Sequence, residues 1–387
     1  MNFDKPIDRS GTWSVKWEER RAKFGTDDLL PLWVADMDLP SPACVTDALR
    51  RRAEHPLYGY TLYPDAFFEA VTGWMHRRHG WRLPREAVVP VPGVVPALNF
   101  LVTALTRPGE GVLIQPPVYH PFFRLGKNHG RRLLENPLLY KGGSYRIDFD
   151  DFRAKAKTAK LFILCSPHNP VGRAWRREEL KAMAQICLEE GCLIVSDEVH
   201  ADIVYPPYRH IPVASLSADI ARITVTLNAP SKTFNVAGLN TAYALVTDEP
   251  LRRRLKAELQ RFDLGMGNLF GIEALVAAYT GGEGWLEALL AYLQGNIAFV
   301  TRYLARNIPQ IRPVPPEATY LMWLDCRGLG LDDRALERFF VGKAKLGLNA
   351  GASFGKEGSG FMRLNVACPR STLEEAMARL EKAVRTL

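Results

Sequence analysis

No two of the six cysteines in this 387-residue chain stand in a C-x-x-C pair, so neither a zinc knuckle nor a dithiol redox motif is written into it. Cys44, Cys165, Cys187, Cys192, Cys326 and Cys368 are expected to be reduced core residues of a cytoplasmic protein. No apolar run approaches the roughly 18 to 20 residues of a membrane helix, so no membrane partner is expected. The opening residues, MNFDKPIDRSGTWSVKW, carry charge with no apolar stretch behind it, so no secretory leader is expected either. G-x-G-x-x-G and G-x-x-x-x-G-K-[ST] are both missing, which disfavours dinucleotide and P-loop nucleotide folds. The formal charge is +8, but its sources are scattered. Even the densest clusters, Arg50 to Arg52 and Arg252 to Arg254, lack interleaved aromatics, so no nucleic-acid partner is expected.

What is present reads as a globular protein. Hydrophobic residues make up 47% and charged residues 24%. The length calls for a large domain and a smaller one. From about residue 46 to 282, short apolar runs alternate with helical patterns. The runs are EAVVPV, GVLIQP, AKLFILCS, GCLIVSD, RITVTLN and TAYALVT. Runs apolar on both faces, alternating with helices, imply a mostly parallel sheet covered on both sides. A helical stripe follows at Leu286, Leu290, Leu293, Ile297, Val300 and Leu304, predicting a long bridging helix over 283–306. The remainder reads strand (TYLMWLD), helix (332–347), strand (GFMRLNVA) and helix (371–387), a small α/β unit. The expected division is an arm over 1–45 that packs with the small domain, a large domain over 46–282, and the bridging helix with the small domain over 283–387.

Ligands on such sheets sit at the carboxyl ends of the strands, and those positions carry distinctive residues. After VVPV comes a glycine turn into a helix at Val94 and Val95, whose free amides suit a phosphate. Tyr119 follows the next run and offers a ring to a flat ligand. Asn169, in SPHNPVG, offers an amide. Asp197 ends GCLIVSD, with His200 three residues on; D-E-x-H could begin a metal site, but no nearby cluster completes one, so no metal is expected. Lys232 follows RITVTLN. Arg363 lies inside an apolar strand, where an arginine needs an anion. Each has an ordinary explanation alone; together they match one chemistry.

The set resembles the fold-type I pyridoxal-phosphate (PLP) enzymes of the class I/II aminotransferase superfamily, and within it the cystathionine β-lyase and carbon–sulfur lyase branch of the MalY/PatB type. The likeness rests on PLWVADMDLPSP, YGYT, PGVVPALN, PVYHPF, SPHNPVGRAW, SDEVHADI, APSKTFNVAGL and GFMRLNVACPR, from residue 31 to 370 in the family's order. It implies an aspartate-aminotransferase-like fold with a large, mostly parallel seven-stranded sheet and a smaller C-terminal α/β domain. It implies that Lys232 forms the Schiff base with PLP and moves protons. Asp197 pairs with the pyridine nitrogen, Asn169 donates to the phenolic oxygen, and His200 stands where many aminotransferases place a tyrosine. Tyr119 stacks on the ring. The Val94 and Val95 amides and Ser231 hold the phosphate, helped by Tyr60 from the neighbouring subunit of a homodimer. Arg363 clamps the α-carboxylate of an amino-acid substrate. The wider superfamily's phosphate serine and arginine are replaced by Ala229 and Asn240. The expected reaction is β-elimination of a thiol from L-cystathionine or a related S-substituted cysteine, giving pyruvate and ammonia. Two alternatives are an aminotransferase and a PLP-binding protein whose main role is a regulatory protein contact.

Overall fold

Six apolar runs become six strands of one sheet, and a seventh strand joins at its edge. A computed structural model describes residues 2–387. The strands are β1 (Val88–Val91), β2 (Gly111–Ile114), β3 (Arg132–Glu135), β4 (Ala159–Cys165), β5 (Leu193–Asp197), β6 (Thr224–Asn228) and β7 (Ala242–Leu245). Their spatial order is β1-β7-β6-β5-β4-β2-β3. Only β7 runs against its neighbours; β3, β2, β4, β5 and β6 pair in parallel. The strands β2, β6 and β7 are buried along their whole length, as a sheet with helices on both faces requires.

The edge strand β3 has no counterpart among the expected runs. Its apolar content is Leu133–Leu134 between charged ends, and its residues are half-exposed or exposed. That is how edge strands avoid further pairing, and it removes the signal a buried run provides.

The long helix spans Glu283–Asn307, close to the expected 283–306. Leu286, Leu290, Leu293, Val300 and Leu304 of its stripe are buried, and Ile297 is partly so. Beyond it, Arg312–Val314, Leu321–Asp325, Phe361–Asn365 and Asn349–Ala350 form a four-stranded antiparallel sheet. The helix expected over 332–347 is much shorter. It covers Asp333–Arg338, widens into a π-type turn over Phe339–Lys343, and stops before Lys345, whose φ of 54° is left-handed. The last helix covers Arg370–Val384. Leu30–Pro31 of the N-terminal segment pairs in parallel with Leu346–Gly347. Among the described residues no helix is long and apolar enough to cross a membrane.

Helix Leu269–Gly281 packs against the chain just beyond Lys232. A Cβ on its Gly271 would lie 1.8 Å from Thr241 Oγ1 and 2.5 Å from the Leu239 carbonyl. Helix propensity favours alanine over glycine by about 1 kcal/mol, but overpacking costs about 1–3 kcal/mol. Gly271→Ala should therefore lower the urea midpoint of the apo-protein; an unchanged or raised midpoint would show that the contact relaxes freely.

Candidate active site

The carboxyl ends of the strands open onto one cavity of about 200 Å³. Val94, Val95, Tyr119, Asn169, Asp197, His200, Ser231 and Lys232 all line it. These expected site residues therefore converge from five separate stretches of chain. Arg363 is buried at the rim. Its Nη1 donates to Asn169 Oδ1 at 3.1 Å and its Nη2 to the Trp33 carbonyl at 2.8 Å. Tyr60 stands apart from the cavity lining and is 95% exposed in the single chain.

Lys232 sits on a single helical turn, Pro230–Thr233, directly after β6. The proline at the turn's start suits its lack of an amide hydrogen. Lys232 Nζ has one hydrogen-bond partner, the Ala35 carbonyl at 2.7 Å. Burial and the charge of Arg363 bring its pKa down to about 8, against the pull of Asp36 and Asp197. Asp197 ends β5 and is buried. Its Oδ1 accepts from the Val199 amide at 3.2 Å, and burial lifts its pKa to about 6 despite that bond and Lys232. A carboxyl in this setting is waiting for a cationic donor. Burial, Lys232 and Arg363 hold His200 well below its usual range, so its ring is neutral. Burial lowers Arg363 to about 10, which leaves it charged at neutral pH.

The donors and acceptors of this cavity fit PLP, the cofactor that the resemblance implies. His200 Nδ1 and Arg363 Nε are buried without partners. Helix Val94–Leu105 begins at Gly93 with no side-chain cap, leaving its first amides free for a phosphate. Ala229 and Asn240 line the cavity where a hydroxyl and a guanidinium would otherwise stand, with Thr241 beside them. Around the Gly93 turn the lining thus offers amides, hydroxyls and a carboxamide, and Lys232 is the one cationic side chain among the lining residues of the cavity.

One part of the site was not assigned a role from the sequence. Every carbonyl from Trp33 to Met37 accepts a side-chain hydrogen bond. Trp33 is held by Asn349 and Arg363, Val34 by Asn365, and Ala35 by Lys232 and Tyr320. Asp36 is held by Asn365 and Lys16, and Met37 by Asn235 and Arg9. The motif WVADMD marked the segment, but a run of backbone acceptors leaves no residue-type signature.

The model of the family "Aminotransferase class I and II" matches residues 27–380. The chain belongs to this family. Cystathionine beta-lyase PatB of Bacillus subtilis (strain 168) is 45% identical over 386 residues, covering 99% of this chain and 100% of the relative. A PLP-bound putative aminotransferase from Clostridium difficile 630 superposes with a TM-score of 0.98 at 45% identity, covering 99% of each chain. Cystalysin from Treponema denticola, which contains a pyridoxal 5'-phosphate cofactor, gives a TM-score of 0.96 at 34% identity, covering 100% of this chain and 99% of its own. The fold is aspartate-aminotransferase-like, fold type I, as the resemblance implied.

Only a neutral amine attacks an aldehyde. The rate at which cofactor-free protein takes up PLP should therefore rise with pH to a midpoint near 8, where burial and the charge of Arg363 place the Lys232 amine. Stopped-flow absorbance over a pH series measures it. A midpoint near ~10.4, the value of an unburied lysine, would contradict the assignment of a desolvated amine.

Proposed function

We propose that the chain is a PLP-dependent carbon–sulfur β-lyase, converting L-cystathionine or a related S-substituted cysteine into a thiol, pyruvate and ammonia. The observation that carries this reading is Arg363. It is a buried guanidinium with no carboxylate partner among the described residues, set beside an amine of pKa about 8. A charge buried in this way calls for an anion, and an amino-acid carboxylate supplies one next to a base. Full-length identity of 45% to a cystathionine β-lyase supports elimination as the outcome. The likeness to a putative aminotransferase at the same identity keeps transamination as the second reading.

When bound, PLP supplies the electron sink that makes a substrate Cα proton acidic. The chain's own residues do the rest. The amides of Val94 and Val95, with Ser231, hold the phosphate. The Asp197 carboxylate would keep a proton on the pyridine nitrogen. Asn169 would donate its amide to the phenolic oxygen, and Tyr119 would offer its ring to the ring face. Arg363 grips the α-carboxylate with its guanidinium fork, giving up its present acceptors. Lys232 Nζ, released from the Ala35 carbonyl, takes the Cα proton.

The same reading makes the active species a C2 homodimer, with Tyr60 reaching the phosphate of the neighbouring subunit. Leu57, Tyr58, Tyr60 and Leu62 are all exposed, as are Phe262 and Met266. The two stretches adjoin: the Gly267 amide donates to the Thr61 carbonyl, and the Tyr58 and Phe270 rings lie 5.9 Å apart. An apolar surface of this kind marks an interface. The reading also divides the chain into an arm (1–45), a cofactor domain (46–282) and a bridging helix with small domain (283–387). All six cysteines are free, which suits the cytoplasm.

L-Cystathionine should give pyruvate, ammonia and a thiol with no keto acid present. Arg363→Lys keeps the charge and loses the fork, so kcat/KM should fall on the order of 10²-fold or more, the scale of a lost charge-assisted contact. The fall should be similar for substrates with different side chains. A strict keto-acid requirement would make the protein a transaminase, and an unimpaired Arg363→Lys enzyme would move the clamp elsewhere.

In sedimentation, activity should travel with the dimer; a fully active monomer would remove the role given to Tyr60.

A further inference from the structure

The turn that carries Lys232 is four residues long and ends at Phe234. Such a short helix has little stability of its own, so its orientation depends on what its side chains hold. Lys232 faces the cavity. Thr233, one residue on, is fully buried, and its Oγ1 donates to Asp202 Oδ2 at 2.8 Å. Asp202 is itself fixed on two further sides. Trp74 Nε1 donates to its two oxygens at 3.1 and 3.2 Å, and His79 Nε2 lies 2.9 Å from Oδ1. The side chains of Asp202 and His79 are 1% and 3% exposed.

Aromatic rings pack this block on several sides. Trp74 stacks on Tyr279 at 4.9 Å with planes 5° apart, and meets Phe234 edge-on at 5.6 Å. The His79 ring packs edge-on against His210 at 5.3 Å. His210 in turn pairs with Glu198, the neighbour of Asp197, at 2.8 Å. Burial pushes the Asp202 carboxyl up, but His79, Thr233 and Arg78 together hold it below its usual range. The acceptor that Thr233 uses is therefore an ionised carboxylate, and a bond to a charged acceptor is stronger than a neutral one.

The second side-chain tether of the turn is the lysine amine on the Ala35 carbonyl. That tether must open whenever Nζ takes part in chemistry. Within the turn, the side-chain hydrogen bond that remains at those moments is that of the hydroxyl behind the lysine, while Asn235, just beyond the turn, stays bonded to the Met37 and Leu39 carbonyls. We propose that Asp202, acting through Thr233, is a positioning residue that holds the Lys232 turn against the cavity while the amine is engaged. The proposal rests on the reading of Lys232 as the reacting amine. Neither residue lines the cavity, so the effect passes through the backbone of one turn.

Thr233→Val tests it, since valine keeps the branched shape and removes the donor, leaving Asp202 with Trp74 and His79. The rate of PLP uptake by the apo-protein should fall about ten- to a hundredfold, the scale of a reacting group displaced by a fraction of an ångström to an ångström. The holoenzyme's kcat should fall similarly with KM little changed, and the visible circular dichroism of the bound cofactor should weaken. Thr233→Ser, which restores the hydroxyl, should return uptake and kcat close to the unmodified protein. Should the valine variant fail to fold, Thr233→Ala against Thr233→Ser makes the same comparison. Uptake and kcat unchanged without the hydroxyl would overturn the proposal. So would equal losses in the serine and valine variants, which would place the effect in packing. Pyruvate formation by the unmodified enzyme tests the lyase reading separately, so the two can fail independently.

Discussion

A lysine amine buried against a single carbonyl oxygen is the constraint on which the rest of the site depends. In water Lys232 would be fully protonated at neutral pH. Here desolvation and Arg363 draw it to about 8. A carboxylate in direct contact would undo this by favouring the charged form. The fold supplies none. Asp197 and Asp36 pull on the amine without bonding it, and among the described residues its hydrogen-bond partner is the Ala35 carbonyl. A neutral amine is the form that acts as nucleophile or base, and the lack of a bonded counter-ion favours that form.

The Trp33–Met37 segment follows from that requirement. A partner for the lysine had to be neutral, and a backbone carbonyl is the available neutral acceptor. Holding one carbonyl at the right place means holding the irregular segment that carries it. Seven other side chains do so: Asn349, Arg363, Asn365, Tyr320, Lys16, Asn235 and Arg9. Arg9 and Lys16 also bridge the Asp36 and Asp38 carboxylates, with contacts of 2.7 to 3.0 Å. The segment thus couples the small sheet, through Asn365 and Arg363, to the Lys232 loop, through Asn235. Arg363 and Lys232 share one support.

How much of this was legible depended on the kind of residue involved. Lys232, Asp197, Asn169 and Arg363 are polar residues at the ends of apolar runs or inside them, where burial without a purpose is costly. The six buried strands announced themselves by continuous apolar sequence. The edge strand Arg132–Glu135 did not, because an exposed edge carries no such run. The helix expected over 332–347 failed for a different reason: its apolar spacing continues past Arg338, while the chain widens at Phe339–Lys343 and turns at Lys345. Asp202 and Thr233 were invisible because their partnership joins residues 31 positions apart through a buried contact. The carbonyls of Trp33 to Met37 were invisible because backbone acceptors belong to every residue.

The most direct measurement is to reduce the PLP-loaded protein with borohydride, digest it, and find which lysine carries the pyridoxyl group. The account predicts a single label on Lys232, in the peptide APSKTFNVAGLN. A label on any other lysine would contradict it, because no other amine would then need the site built around this one.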